Sequence, residues 1–385
     1  MNTAVLVIGG GYSGVMAANR LTKRDDVTVT LVNPRPDFVE RIRLHQLVGG
    51  SHNPVHDYRN VLAGRVRLVV GSVARIDAAR RGVTLESGDT LGYDYLVYAV
   101  GSGSALQVPG AAEFAYPIAD LEEAERLKPV VAAARTVTVV GAGPSGLEVA
   151  AELAELGRTV TLVCGGVLGP YLHPRGRRSV ARRLAKLGVR IVEDQQVTAV
   201  TPDAVRLGDG RELPGEVTVW TAGFGVPDLA ARSGLRTDAD GRLLTDETLT
   251  SVDDERIVAA GDAAAPSGLP YRMGCQSAVQ LGPQAAETVL SRIAGEQPKP
   301  ADVGFAGQCL SLGRRAGIFQ FASKHDTANR FHLGGRPGAL LKELVCRSTV
   351  QQLAYEARNP GKRDRWSKDG ERRKLLRAEA VEVRL

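Results

Sequence analysis

The sequence is short of cysteine, and the few cysteines it has are scattered. Cys164, Cys275, Cys309 and Cys346 form no CxxC or other close pair. A disulfide framework, a zinc site and a dithiol redox centre each need closely spaced cysteines, so this distribution argues against all three. The histidines show no metal-ligand spacing either, so no metal site is predicted. Free thiols are typical of a reducing compartment, and we therefore expect a cytoplasmic protein.

Long apolar runs are also missing. No stretch reaches the ~18 consecutive apolar residues that indicate a transmembrane helix. A β-like run begins almost at once, at residues 4–8, without the charged flank and cleavage site of a signal peptide. We therefore expect no export, and any membrane contact to be peripheral, at the inner face of the membrane.

The net charge of +6 is concentrated in two stretches rather than spread over the chain. Residues 175–186 and 362–377 hold much of the positive excess, which indicates local patches rather than a global field. No nucleic-acid-binding motif accompanies them. We expect no nucleic-acid partner, and we interpret the second patch, which surrounds Trp366, as a solvated tail in preference to a surface that contacts anionic lipid.

Glycine, in contrast, is abundant. The chain has 385 residues, of which 44 are glycine and 43% are hydrophobic. This length suggests two or three domains. Glycine supplies the tight strand-to-helix turns of α/β proteins, and the composition predicts that class.

The first motif is a complete βαβ unit. A β-like run at 4–8 is followed by Gly9, Gly11 and Gly14, a helix to about Leu21 and a second β-like run at 27–32. In such a unit the first glycine permits the tight turn and the second lets the backbone approach a pyrophosphate. The third allows close helix packing, and the helix N-terminus attracts phosphate.

The same pattern returns about 130 residues later. A run at 136–140 precedes Gly141, Gly143 and Gly146, a helix to about Leu156 and a strand at 160–163. Two fingerprints, each within its own βαβ unit, imply two bound nucleotides. We therefore predict an α/β fold with two Rossmann-like dinucleotide-binding domains.

Neither unit has the acidic residue that usually binds a ribose hydroxyl at the end of the second strand. The first has Asn33, which can still form hydrogen bonds, and the second has Cys164 followed by two glycines. The choice between NAD and NADP is open. Arg175, Arg177 and Arg178 lie downstream, where they would either meet a 2′-phosphate or begin a solvated helix, the interpretation we favour.

Three later segments resemble parts of the two-dinucleotide flavoprotein superfamily. Residues 95–102 resemble the strand and turn that close the first site at Gly101, and residues 218–225 resemble their counterpart at Gly223. Residues 256–264 are similar to the second FAD motif. The resemblance implies that FAD and NAD(P)H are the cofactors and that Asp262, after Gly261, binds the ribityl chain.

The order of these segments predicts the domains. Residues 1–108 form the first part of an FAD-binding domain, 109–244 an inserted NAD(P)H-binding domain, and 245–298 the rest of the FAD domain. Residues 299–385 form a C-terminal region. Apolar residues recur there as a partial helical stripe at Leu340, Leu341, Leu344, Val345 and Leu353. The stripe would pack on the body of the protein, on a second copy in a homodimer, or on lipid.

Within the superfamily the chain looks most like type II NADH:quinone oxidoreductases and apoptosis-inducing-factor-like flavoproteins. The segment from Cys275 to Gln280 looks like their Ala-Gln-x-Ala-x-Gln signature, with Cys275 in place of alanine. The resemblance implies that Gln276 and Gln280 line the quinone pocket. On a helix, their spacing of four residues puts both amides on one face. A weaker resemblance to the same group covers residues 305–317.

Other candidates for the reaction centre carry charge. Glu148 follows the second glycine turn and matches a glutamate that approaches the nicotinamide and flavin in this family; helix-surface solvation is the alternative. Residues 41–46 occupy the place where the family's chain passes the flavin, so we expect Arg43 to favour a reduced flavin. His45 would either donate a proton near neutral pH or serve as a structural hydrogen-bonding residue. We also expect Val73 to contact the cofactor.

These features predict an enzyme that transfers a hydride from NAD(P)H to FAD and then electrons to a quinone-like acceptor. Such chemistry belongs mostly to the cofactor, which is consistent with the lack of a catalytic triad. One alternative is a flavoenzyme that acts on a soluble metabolite or a protein electron carrier. Another is a redox-sensing interaction protein whose oligomeric state responds to the nucleotide.

Overall fold

The computed structural model describes residues 2–362, 368–372 and 374–376. Trp366 and part of the basic tail around it lie outside these ranges. Within them the α-helices are α1 (Tyr12–Leu21), α2 (Leu44–Val48), α3 (Ala111–Phe114), α4 (Leu121–Ala133), α5 (Pro144–Glu155), α6 (Pro174–Lys186), α7 (Leu229–Arg232), α8 (Cys275–Ile293) and α9 (Gly335–Arg358). Across these described residues no helix combines the length and apolarity needed to cross a bilayer.

The first sheet has five parallel strands and contains the first βαβ unit. Its strands, in spatial order, are Ile257–Ala259, Tyr95–Tyr98, Thr3–Ile8, Val27–Asn33 and Arg67–Val70. Helices α1 and α8 pack together on this sheet, and their contact is close because α8 has a glycine there. A Cβ atom at Gly282 would lie 2.2 Å from the Ser13 carbonyl oxygen. Any larger residue would force the two helices apart.

The second sheet repeats this architecture. Its parallel strands are Ala115–Pro117, Val217–Trp220, Thr136–Val140, Thr159–Val163 and Arg190–Val192. Both predicted βαβ units are present, with boundaries within one or two residues of the expected ones. The valine-rich strands are buried because helices cover a parallel sheet. The predicted α/β class with two Rossmann-like units is confirmed.

Short sheets of two or three strands, all but one of them antiparallel, complete the two sheet regions. The pairs are Asp37–Val39 with Val55–Asp57, and Gly103–Ser104 with Phe224–Gly225; a parallel pair joins Leu243–Thr245 and Ala264–Pro266. The three-stranded sheets are Val73–Asp77, Gly82–Leu85 and Thr90–Gly92, and Val197–Val200, Ala204–Leu207 and Glu212–Pro214. The strand pair at 103–104 and 224–225 connects the polypeptide between the two large sheets.

The C-terminal region is a three-stranded antiparallel sheet followed by the long helix α9. The strands are Gly307–Ser311, Gly317–Ala322 and Ala328–Gly334. Ion pairs attach α9 to the first sheet region: Glu356 binds the buried guanidinium of Arg20, and Glu343 binds Arg43 at 2.8 Å. Charged side chains therefore help to position this helix.

The predicted apolar stripe on α9 is divided between two environments. Leu353 is buried, and Leu341 and Val345 are half-buried. Leu340 and Leu344 are 73% and 63% exposed. The most buried side of the helix instead carries polar groups, among them the ammonium of Lys342. Part of the stripe therefore packs on the body of the protein, and part faces outward.

Candidate functional site

The first glycine turn has the geometry that close approach of a pyrophosphate requires. Gly9 has φ +100°, and a Cβ there would lie 2.3 Å from the Ala99 carbonyl oxygen. A Cβ at Gly14 would lie 1.8 Å from the Gly9 carbonyl oxygen, so this residue must be glycine for the helix to pack on the turn. At Gly11 a Cβ would meet nothing within 4 Å. Gly11 therefore faces open space at the N-terminus of α1.

The second turn repeats this backbone arrangement. Gly141 has φ +106°, and a Cβ at Gly146 would lie 1.8 Å from the Gly141 carbonyl oxygen. A Cβ at Gly143 would again meet nothing within 4 Å. Each turn thus has one glycine for conformation, one for packing and one that faces free volume at a helix start.

Asn33 supports the first turn rather than facing the cavity. Its Oδ1 accepts a hydrogen bond from the Gly10 N–H at 2.9 Å, and its Nδ2 donates to the Arg35 carbonyl at 2.9 Å. The Tyr58 hydroxyl donates to the Gly10 carbonyl at 2.8 Å. Two buried side chains therefore hold the middle of the turn. Tyr58 is a contributor that the sequence pattern did not reveal.

A single cavity of about 660 Å³ lies beside both turns. It extends from the start of α1 past the start of α5 to α8, α9 and the C-terminal sheet. Among the predicted site residues, those that line it are Gly11, His45, Gly101, Glu148, Gly261, Asp262, Gln276 and Gln280. Of the residues described, Gly9, Gly14, Asn33, Arg43, Val73, Gly141, Gly143, Gly146 and Gly223 are predicted site residues outside this lining.

The placement of Arg43 and Val73 does not favour the cofactor contacts expected for them. The Arg43 guanidinium is buried and bonds to Glu40, Gln46 and Glu343 at 2.8–2.9 Å. Its positive charge is thereby neutralised by carboxylates. Arg41 lines the cavity instead, with its Nε donating to the Ala119 carbonyl. Val73 is buried in the apolar core beneath the first sheet.

Asp262 occupies the cavity wall where the second FAD motif was predicted. Its Oδ1 accepts from the Gly274 N–H at 2.9 Å, and its Oδ2 accepts from the Ser102 hydroxyl at 2.8 Å. Each carboxylate oxygen can accept a further hydrogen bond. Backbone and hydroxyl donors therefore fix the carboxylate while leaving it able to bind a ligand hydroxyl.

Gln276 and Gln280 lie one turn apart near the start of α8, as their spacing predicted, and both line the cavity. The Gln280 Nε2 donates to the carbonyls of Gln276 and Gly304, at 2.9 and 3.2 Å. Its Oε1 is buried without a partner among the described residues. The Gln276 amide, in the orientation that satisfies its bonds, pairs with Ala306 and Gly307 of the next segment. The acceptor of the Gln280 amide is therefore unused among the described residues.

Glu148 is buried in the cavity wall and forms an ion pair with a lysine from α9. Its Oε1 lies 3.0 Å from the Lys342 Nζ and accepts from the Ser311 N–H at 2.9 Å. Burial favours a higher pKa for Glu148, but Lys342 and the other neighbours outweigh it and hold that pKa below its usual value. Conversely, the negative charge of Glu148 raises the pKa of Lys342 against its burial. Both groups are ionised, and the burial of Glu148 is inconsistent with the alternative of helix-surface solvation.

Lys342 was missed at the sequence level. It lies 194 positions after Glu148 and stands among leucines and valine in α9, where local periodicity offers no reason to place it in a reaction centre. The only available signal is that this lysine stands next to the leucines of the predicted apolar stripe. Burial of such a charge requires a partner, but the sequence does not say which.

His45 is near Glu148, with its Nδ1 3.6 Å from the Glu148 Oε2. Burial lowers the pKa of His45 to about 4, despite the opposing charge of Glu148. The imidazole is therefore neutral at neutral pH, which does not favour the proton-donor role expected for it. Its Nε2 is buried and has no partner in the part of the chain that the structure describes.

Two nucleotide turns, a shared cavity and a C-terminal cap define a two-dinucleotide oxidoreductase. The family model described as pyridine nucleotide-disulphide oxidoreductase matches residues 3–288. The chain belongs to this family, and the predictions of an oxidoreductase with FAD and NAD(P)H as cofactors are confirmed. The family's description names a disulphide, but all four cysteines of this chain are free.

Individual relatives are similar over most of their length. An NADH dehydrogenase-like protein of Bacillus subtilis is 28% identical, over 82% of this chain and 91% of the relative. A type II NADH:quinone oxidoreductase of Mycobacterium tuberculosis is 30% identical, over 76% of this chain and 73% of the relative. The structure of NDH2 from Plasmodium falciparum in complex with NADH superposes with a TM-score of 0.79 at 15% identity, covering 93% and 97% of the two chains. The last similarity concerns the fold alone.

Proposed function

We propose that this protein transfers a hydride from NAD(P)H to FAD and passes the electrons on to a quinone. The observation that carries the proposal is the single cavity of about 660 Å³, which is bordered by Gly11 of the first turn, the start of α5 and the two glutamines of α8. A donor at the second turn and an acceptor at the glutamines would thus approach the same volume. The relatives named as NADH:quinone oxidoreductases support the same chemistry.

The residues present fit FAD. Bound there, FAD would accept a hydride and release electrons to a second substrate. The open space at Gly11 and the α1 N-terminus suit a pyrophosphate, and the Asp262 carboxylate suits the ribityl hydroxyls. Gly101 and Gly261, both at positive φ, let the backbone turn beside the same volume. The protein's part is to orient the reactants and exclude water.

At the acceptor end, we assign recognition to Gln280 and electrostatics to the Lys342–Glu148 pair. The Oε1 of Gln280, which has no partner in the described part of the chain, would accept a hydrogen bond from a hydroxyl such as that of a quinol. The Lys342 ammonium lies at the cavity wall beside Glu148, and its remaining N–H groups would donate to a ligand oxygen on which negative charge develops. Glu148 keeps this ammonium ionised in a buried position.

An outward-facing apolar surface suits a lipid-borne quinone. Phe321, Phe331 and Leu333 project from the C-terminal sheet with exposed fractions of 40%, 61% and 38%. They share their sheet face with Phe319, which lines the cavity, since Phe319 pairs directly with Leu333. We propose that this surface, together with Leu340 and Leu344 of α9, contacts the membrane. Apolar side chains next to exposed cations such as Arg330 are typical of peripheral binding.

The quinone assignment is tested by comparing Gln280→Leu with Gln284→Leu. Both glutamines lie on α8 and donate to two backbone carbonyls, but only Gln280 lines the cavity. Loss of about tenfold in kcat/KM for a water-soluble quinone is expected in Gln280→Leu alone, with unchanged flavin reduction by NAD(P)H. Equal activity of the two variants would contradict the assignment.

The membrane surface is tested with vesicles that contain a long-chain quinone. The double variant Phe331→Ser, Leu340→Ser should lose vesicle binding and reduction of the embedded quinone but keep activity with a water-soluble quinone. Leu156→Ser with Val252→Ser, which alters apolar residues elsewhere that are 52% and 44% exposed, serves as the control. Unchanged sedimentation of the first variant with vesicles would remove this surface from the proposal.

A further inference from the structure

The second nucleotide turn lacks a carboxylate at the end of its own second strand, but the neighbouring strand supplies two. The strand Thr159–Val163 runs parallel to Arg190–Val192, with Val163 opposite Val192. The residues that follow them, Cys164 and Glu193, therefore leave the same edge of the sheet side by side. The Cys164 N–H donates to the Val192 carbonyl at 2.8 Å and fixes this arrangement.

Hydrogen bonds hold Glu193 and Asp194 against the loop that follows Cys164. The Leu168 N–H donates to the Glu193 Oε1 at 2.7 Å, and the Asp194 N–H donates to the Gly166 carbonyl at 2.9 Å. Both residues are exposed, and neither forms an ion pair with a cation among the described residues. Burial raises the pKa of Cys164 to about 12, and the charges of Glu193 and Asp194 add to this effect. The edge where ribose is read therefore has a negative field.

The basic residues considered from the sequence lie further along the chain. Arg175, Arg177 and Arg178 belong to the first turns of α6, which begins only at Pro174. Gly176, between them, packs against the side chains of Ile318 and Gln320 in the C-terminal sheet. This start of α6 is therefore anchored on the C-terminal sheet, and the residues at the strand end itself are Cys164, two glycines and the two acids.

We infer that Glu193 and Asp194 together take the part of the missing acid, accept a hydrogen bond from the adenosine ribose 2′-hydroxyl and exclude a 2′-phosphate, so that the donor is NADH. The inference rests on the proposed function and specifies its donor. A ribose hydroxyl can donate to a carboxylate. A 2′-phosphate carries about −1.5 to −2 charges at neutral pH and would face two like charges, which is a repulsive device for specificity.

The test uses Glu193→Gln with Asp194→Asn in the full-length holoprotein. The amides keep the Leu168 hydrogen bond, and asparagine tolerates the positive φ of Asp194. Anaerobic flavin reduction is followed with NADH and with NADPH. We expect the wild type to prefer NADH, and the double variant to gain about tenfold in kcat/KM for NADPH with little change for NADH. The control Glu113→Gln with Glu125→Gln removes two exposed carboxylates of helices α3 and α4.

Ionic strength provides a second readout that a merely structural role would not move. Salt screens exposed charges, so added salt should raise the relative efficiency of NADPH in the wild type and much less in the double variant. Equal use of both coenzymes by the wild type would overturn the inference, as would a preference for NADPH that Arg175→Gln removes. Failure of both coenzymes to reduce the flavin would instead contradict the proposed function.

Discussion

The two glycine turns have the same backbone geometry but different surroundings. In the first, the side chains of Asn33 and Tyr58 bind the Gly10 backbone from a buried position. In the second, the equivalent residue is Ala142, whose carbonyl accepts from the Gly169 N–H, and the strand end is the half-exposed Cys164. Three glycines build each turn, whereas neighbouring side chains determine how firmly it is held. We expect the first site to retain its nucleotide through turnover and the second to exchange it.

A side chain added to the open glycine of each turn should separate the functions of the two sites most clearly. Gly11 and Gly143 both have φ values that any residue adopts, −78° and −72°, and a Cβ at either would meet no protein atom within 4 Å. Gly11→Val should therefore fold but lose FAD. Gly143→Val should keep FAD but lose reduction by NADH, by about 100-fold or more. Absorbance of the purified proteins and anaerobic reduction measure both effects, and loss of FAD from Gly143→Val would contradict the division of sites.

The Lys342–Glu148 pair lies where α5 of the second unit meets the C-terminal region. Glu148→Gln should destabilise the protein by about 3–5 kcal/mol, because it leaves the Lys342 ammonium buried without its counter-charge. Denaturant unfolding of the holoprotein measures this cost. The double variant Glu148→Gln, Lys342→Met should recover most of the stability while quinone reduction remains slow. Recovery of both properties would show that the pair serves packing alone.

His45, which lies next to the Lys342–Glu148 pair, makes the stability of the protein depend on pH. Its pKa is about 4 in the folded protein against 6.5 for the ordinary side chain, so the unfolded chain binds the proton more tightly. Stability from the buried neutral imidazole is complete above about pH 6.5 and is lost as the pH falls towards 4, by about 3 kcal/mol in total. The stability of His45→Gln, measured over the same pH range, should fall less steeply. If the stabilities of the wild type and of His45→Gln fell equally with pH, His45 would not be the group responsible.

Tyr58→Phe should weaken the first turn alone, with the smallest effect of these variants. It removes only the hydrogen bond from the Tyr58 hydroxyl to the Gly10 carbonyl. A bond of this kind contributes about 1 kcal/mol, so FAD should dissociate about fivefold faster. Reduction by NADH, measured with saturating FAD, should not change. An unaltered FAD dissociation rate would mean that Asn33 alone holds the turn.

The sequence was most informative where a function depends on neighbours along the chain. The glycine turns, Asp262 and the four-residue spacing of Gln276 and Gln280 are local patterns, and the structure places Gly11, Asp262 and both glutamines on one cavity. The family resemblance also brought Glu148 to notice. Helix-surface solvation, the alternative considered for Glu148, does not apply because α9 covers the residue.

Contacts between distant segments were beyond these patterns. The sequence alone does not distinguish the surroundings of Arg41 from those of Arg43. The packing of α9 pairs Glu343 with Arg43, whereas Arg41 lines the cavity. Lys342 depends on the same helix. Glu193 joins the second site because its strand pairs with Thr159–Val163, a register that emerges only when the sheet assembles. Local sequence patterns do not determine such long-range pairings.

The most direct test of the central claim is an anaerobic stopped-flow spectrum of the purified yellow protein. It is mixed first with NADH and then with a water-soluble quinone, while the flavin absorbance is recorded. Rapid bleaching by NADH and rapid recovery with the quinone are the predicted result. Bleaching that the quinone does not reverse would contradict the proposed acceptor, and a flavin that NADH does not bleach would contradict the hydride transfer on which the whole account depends.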